Sequence, residues 1–116
     1  MAGKRVLFVC VQNEVRSPKA AEVFAELAAE TGYSDAFEIK SAGTDAAVGR
    51  TQITEDLGFW ADEIYALDGM VALVLEKRYE IQPEKIENLQ VPDGFRYDDP
   101  RLTTLLREQL RKYVVI

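Results

Sequence analysis

The chain has 116 residues, with 14 Lys and Arg against 20 Asp and Glu and no His, for a formal net charge of -6. With 47% apolar and 29% charged residues, it can bury one core but not two, so residues 1–116 are expected to form a single domain. The acidic balance argues against broad nucleic-acid binding, which needs clustered Lys and Arg, and without His the serine triad, the papain-like Cys–His pair and the usual His metal sites each lose a member.

Val6-Leu7-Phe8-Val9 is β-branched and aromatic without polar alternation, which predicts a strand buried on both faces of a parallel sheet. Ser17-Pro18 reads as an N-cap followed by proline at the first helical position. Ala20, Val23, Phe24, Leu27 and Ala28 then recur at helical spacing up to a capping Gly32. Phe37 to Lys40 alternates like a half-buried edge strand, closed by the small residues Ser41-Ala42-Gly43-Thr44 as a turn. Thr54 to Asp62 predicts a short helix capped by Thr54, Glu63 to Leu67 a third strand, and Met70 to Tyr79 a helix stopped before Pro83. Ile86 to Val91 is a weaker fourth strand, and Asp99-Pro100 opens a last helix with Leu102, Leu105, Leu106, Leu110 and Tyr113 on one stripe. Phe24, Phe59, Trp60 and Tyr113 read as core or partly buried surface. Strands alternating with helices predict an α/β fold with right-handed crossovers and helices on both faces of a parallel sheet. Ligands in such sheets sit beyond the carboxyl ends of the strands, where Cys10 falls.

Cys10 is the only cysteine, which excludes an internal disulfide and fits a reducing, cytoplasmic setting. Apolar runs reach six residues, at Val6–Val11 and Met70–Leu75, far short of the roughly 20 that span a membrane. Met1 to Arg5 leads straight into the first strand with no signal-peptide pattern. No membrane partner is expected.

The segment from Cys10 to Pro18 sets a cysteine and an arginine five residues apart, followed by a hydroxyl, between a buried strand and a helix start. Backbone N–H groups of Val11, Gln12, Asn13, Glu14, Val15 and Arg16 can converge in such a turn, and the helix dipole adds to them, making a cradle for a tetrahedral anion such as phosphate, sulfate or vanadate. Thiols at helix N-termini beside cations ionise more readily than free cysteine, and Cys10 is expected to react as a thiolate. Arg16 can grip two phosphoryl oxygens with its planar fork. Ser17 can donate to the sulfur, and Asn13 tolerates the positive φ of a sharp bend.

These residues resemble the low-molecular-weight protein tyrosine phosphatase family, whose signature is Val-Cys, five residues, then Arg-Ser-Pro. Val9-Cys10, Arg16-Ser17-Pro18, Asn13, Glu22 and Ser41-Ala42-Gly43-Thr44 carry the match. A short prokaryotic subgroup of predicted phosphatases is most similar, with its Pro-Asp near the fourth strand and Asp-Pro-x-Leu at the last helix. The resemblance implies a three-layer fold with a four-stranded parallel sheet in the order 2-1-3-4, and hydrolysis of phosphomonoesters through a phosphocysteine with no metal and no cofactor. Cys10 would attack phosphorus, and Arg16 with the loop amides would hold the equatorial oxygens. A carboxylic acid after the fourth strand would protonate the leaving group. Asp99 reads as a helix cap, which leaves Asp93 and Asp98, with Asp93 preferred because it directly follows the strand and precedes a glycine hinge. Asp68 reads as a strand-end residue or a helix N-cap and stays outside the catalytic set.

The expected partner is a phosphorylated tyrosine protein or a small aryl phosphate, with Phe95 and Tyr97 as candidates to flank the ring. The chain departs from the family at Gln12, commonly Gly, at Val15, often a second cysteine, at Glu14, often basic in the short subgroup, and at Asp45-Ala46-Ala47, which lacks an aromatic residue. Two other functions use the same residues: an arsenate reductase dependent on external thiols, and a module that binds phosphate or a phosphoprotein without turnover.

Overall fold

The structure is a computed structural model that describes residues 3–114. Met1 and Ala2, where the reading of the chain start begins, lie outside the described residues, as do Val115 and Ile116. Four parallel strands, β1 (Lys4–Cys10), β2 (Phe37–Gly43), β3 (Glu63–Ala66) and β4 (Ile86–Asn88), form one sheet in the order β2-β1-β3-β4. The helices are α1 (Arg16–Glu30), α2 (Glu55–Trp60), α3 (Gly69–Arg78) and α4 (Pro100–Leu110). This is the α/β architecture the pattern predicts.

Central β1 buries both of its faces, and successive side chains divide between two cores. Val6, Phe8 and Cys10 face α1 and α4, where Phe24, Leu27, Leu102, Leu106 and Leu110 close the layer. Leu7 and Val9 face α2 and α3, with Ile53, Val71 and Leu75. Phe8 stacks on Tyr65 at 5.1 Å between centroids, and Phe24 meets Phe37 edge-on at 4.9 Å. Phe59, expected to be at least partly buried, is 85% exposed, because the inward side of the short α2 is taken by Leu57 and Trp60.

Three boundaries differ from expectation for physical reasons, while the glycine stop of the first helix holds. Ser17 is not the N-cap of α1: the helix starts at Arg16, its cap position is Val15, and no side chain caps it. At the other end Gly32, at φ 80°, follows the C-cap Thr31. Its N–H donates to Ala29 and the Tyr33 N–H to Ala28, a Schellman closure. Ser41-Ala42-Gly43 is not a turn but the end of β2, in register with Phe8-Val9-Cys10. β4 stops at Asn88 because Gln90 takes φ 55°, although the Leu89 and Val91 N–H groups still reach the carbonyls of Ala66 and Leu67 at 2.9 and 2.7 Å. Thr54, Asp68 and Asp99 cap α2, α3 and α4 through their side-chain oxygens.

Candidate active site

The segment from Val11 to Val15 joins β1 to α1 at the carboxyl edge of the sheet. Its carbonyls turn away from the site: those of Cys10, Val11 and Gln12 accept from Thr44, Asp45 and Ala47 at 2.9, 2.8 and 3.1 Å. None of the amides of Val11 to Arg16 donates to a protein acceptor among the described residues, which leaves all six free to bind an anion. Gly43 makes the close approach possible. A Cβ there would stand 2.4 Å from the Val11 carbonyl oxygen and 2.9 Å from the Asn13 nitrogen.

Asn13 makes the bend at φ 58° and is buried. Its Nδ2 donates to Ser17 Oγ at 2.9 Å and to Ser41 Oγ at 3.0 Å, and its Oδ1 accepts from the Thr51 amide at 3.2 Å. Its side chain therefore clamps the loop to the end of β2, and it contributes to the cradle through its backbone. Ser17 Oγ lies 3.0 Å from Cys10 Sγ and 3.2 Å from the Ala42 carbonyl. With one hydroxyl proton it donates to the sulfur when that is a thiolate; when Cys10 carries its own proton, S–H donates to Oγ and the hydroxyl turns to Ala42.

Arg16 is buried in a fixed pose. Its Nη1 donates to Asp68 Oδ2 at 2.7 Å and to the Val91 carbonyl at 2.9 Å. That leaves Nε and Nη2, a planar two-point edge, without a hydrogen-bond acceptor among the described residues; the nearest carboxylate oxygen to Nε is Asp93 Oδ1 at 3.6 Å. Asp68 is the residue that sequence reasoning left out. Its Oδ1 accepts from the Val71 amide at 2.9 Å as the cap of α3, while its other oxygen holds Arg16. Partial burial works against its ionisation, but the Val71 N–H and the Arg16 guanidinium outweigh it and keep the carboxyl below the ordinary range. An aspartate at a strand end was the available signal; the Arg16 contact depends on β3 lying beside β1.

A cavity of about 480 Å³ opens over this loop, walled by Cys10, Val11, Gln12, Glu14, Val15 and Arg16, with Asp93 and Arg50 at its sides. Cys10 lies at its base, buried at 3% exposure. Asp93 overhangs with its side chain 79% exposed. Asp98 pairs with Arg96 at 3.7 Å and does not line the cavity, and Asp99 is spent on capping α4. Phe95 and Tyr97 do not line it either. Phe95 packs against the α1–α4 core under Arg101, and the Tyr97 hydroxyl donates to Glu22 on α1, with Lys19 Nζ 4.0 Å from the ring centre. Arg50 had no sequence signal, because it stands in an irregular stretch without periodicity.

A sequence model of the low molecular weight phosphotyrosine protein phosphatase family matches residues 5–82. The chain belongs to that family. Membership makes it a cysteine-based phosphatase at the level of the family. Its fold is similar to a YwlE mutant from Bacillus subtilis at 21% identity and TM-score 0.82, covering 97% of each chain. It is also similar to SP-PTP, a low molecular weight protein tyrosine phosphatase from Streptococcus pyogenes, at 24% identity and TM-score 0.79, covering 96% of this chain and 91% of that one. A YwlE arginine phosphatase with a phosphorylated active-site serine matches at 20% identity and TM-score 0.80, over 95% of this chain and 93% of that one. At these identities the likeness carries the fold. No curated protein matches the sequence.

Proposed function

We propose that the chain is a phosphomonoester hydrolase, a protein tyrosine phosphatase, that works through a phosphocysteine on Cys10. The observation that carries this is the set of unengaged amides from Val11 to Arg16 above a buried thiol, flanked by the open Nε–Nη2 edge of Arg16. Donors held in place before reaction stabilise the equatorial oxygens of a phosphoryl group without reorganising. The Cys10 thiolate attacks phosphorus, a P–S bond forms, the bond to the leaving oxygen breaks, and Asp93 gives that oxygen its proton. Water then attacks phosphorus, Asp93 takes its proton, and the P–S electrons return to sulfur, which Ser17 receives with a hydrogen bond. The cavity-side position of Asp93, 3.6 Å from Arg16 Nε, favours it over Asp98.

The test is hydrolysis of an aryl phosphate. Cys10→Ser is expected to abolish turnover and Asp93→Ala to lower kcat by about 10²–10⁴-fold. An active Cys10→Ser protein overturns the mechanism, and an unaffected Asp93→Ala protein overturns only the choice of acid.

One observation favours a second substrate, phosphoarginine. Among the described residues, Glu14 lines the cavity without an ion-pair partner and no aromatic side chain lines it. A carboxylate suits the planar N–H fork of a guanidinium better than a phenyl ring. Turnover of phosphoarginyl against phosphotyrosyl peptides decides between them.

A further inference from the structure

Among the basic residues that line the cavity, Arg16 is already engaged by Asp68 and the Val91 carbonyl. Arg50 is the other. It is exposed, lines the cavity, and has no carboxylate within 4.0 Å among the described residues. The backbone that carries it is fixed by the same contacts that shape the phosphate loop. The Arg50 N–H donates to Ala47 at 2.9 Å, the Ala47 N–H to the Gln12 carbonyl at 3.1 Å, and the next amide, Thr51, to Asn13 Oδ1 at 3.2 Å. The rim and the loop are therefore one hydrogen-bonded unit. A cation anchored through its backbone on the wall of an acidic chain, of net charge -6, offers an anionic group on the substrate a local attraction that the overall field does not.

We propose that Arg50 is a specificity-determining residue: it reads a carboxylate flanking the phosphorylated residue, so that acidic phosphopeptides are preferred over neutral ones. This rests on the phosphatase assignment of the cavity, with peptide as the substrate. Glu14 and Asp93, the carboxylates sharing the cavity, set the complementary limit, since they repel an acidic flank that approaches from any side but that of Arg50.

The experiment compares two phosphotyrosyl peptides of equal length, flanked by Glu or by Gln, in their affinity for the Cys10→Ser protein. A preference of about three- to fivefold for the Glu-flanked peptide is expected, lost in Cys10→Ser/Arg50→Gln and reversed in Cys10→Ser/Arg50→Glu. Equal affinities with Arg50 present overturn the proposal, as does binding of neither peptide. So does an Arg50→Gln change that weakens both peptides equally, which assigns Arg50 to the phosphoryl group itself. Aryl phosphate turnover by the unaltered chain, measured separately, tests the phosphatase assignment. Its failure sinks that assignment while the affinity ratio still decides Arg50.

Discussion

Asp68 shows how one carboxylate can serve the fold and the site through different oxygens. In Asp68→Asn the amide oxygen still caps α3, because Asn is as good an N-cap as Asp, but the charge facing Arg16 is gone. The guanidinium then loses its restraint, and kcat/KM for an aryl phosphate is expected to fall about ten- to a hundredfold, since small displacements of a positioning group carry penalties of that order. The Asp68 carboxyl is held below its ordinary range in the folded chain, so its contribution to stability is present above the unfolded value and is lost as pH falls through the folded one. The gap in melting temperature between wild type and Asp68→Asn should accordingly stay constant from about pH 8 to pH 5 and close only below the ordinary carboxylate range near ~4. A gap that closes between pH 7 and 5 would contradict the pairing. Cys10, Arg16 and Ser17 were legible in the sequence because their chemistry and spacing lie within one loop. The second oxygen of Asp68 was not, because the partner that engages it is 52 positions away and is brought near only by sheet order.

At the scale of elements, the end of β2 and the loop after β1 form one unit. Ser41, Ala42, Gly43 and Thr44 look like a turn because they are small, yet each touches the loop, Ser41 and Gly43 through their residue type and Ala42 and Thr44 through backbone groups. Ser41 accepts from Asn13, the Ala42 carbonyl faces Ser17, Gly43 admits the Val11 carbonyl, and the Thr44 N–H donates to Cys10. Gly43→Ala would force a methyl group to within 2.4 Å of backbone oxygen. Neither atom is on a flexible side chain, so a loss of about 1–3 kcal/mol of stability is expected, together with most of the activity, read by denaturant unfolding and aryl phosphate hydrolysis. Apolar periodicity identified α1 and α4 because both bury a continuous stripe. It overextended β4, where the left-handed Gln90 ends the strand and no hydrophobic pattern records a backbone dihedral. The misread start of α1 has a different root: Ser17 has the chemistry of a cap, but its hydroxyl is drawn to the sulfur and the neighbouring strand.

For the whole molecule, the single thiol among 116 residues sets its response to oxidation. A sulfenic acid formed on Cys10 meets Val15 where a second cysteine could have captured it, so oxidation should run on to the irreversible sulfinic acid. Peroxide treatment is expected to inactivate the protein with little recovery in dithiothreitol, and full recovery would refute this. The two-sided core and the place of Cys10 at the carboxyl end of β1 were readable from alternating patterns, because burial on both faces of a central strand leaves an unbroken apolar run, whereas the strand order came only with the family resemblance. Of the cavity walls only Arg50 was not readable, since it occupies irregular backbone far along the chain from the loop. The bare amino end of α1 has a further consequence. Dissolved orthophosphate should act as that helix's missing cap and protect the protein against heat, by about 2.7 kcal/mol at a hundredfold excess over its Kd. Product inhibition and thermal resistance would then spring from the same donors, and a buffer chosen to prolong shelf life would also slow the enzyme.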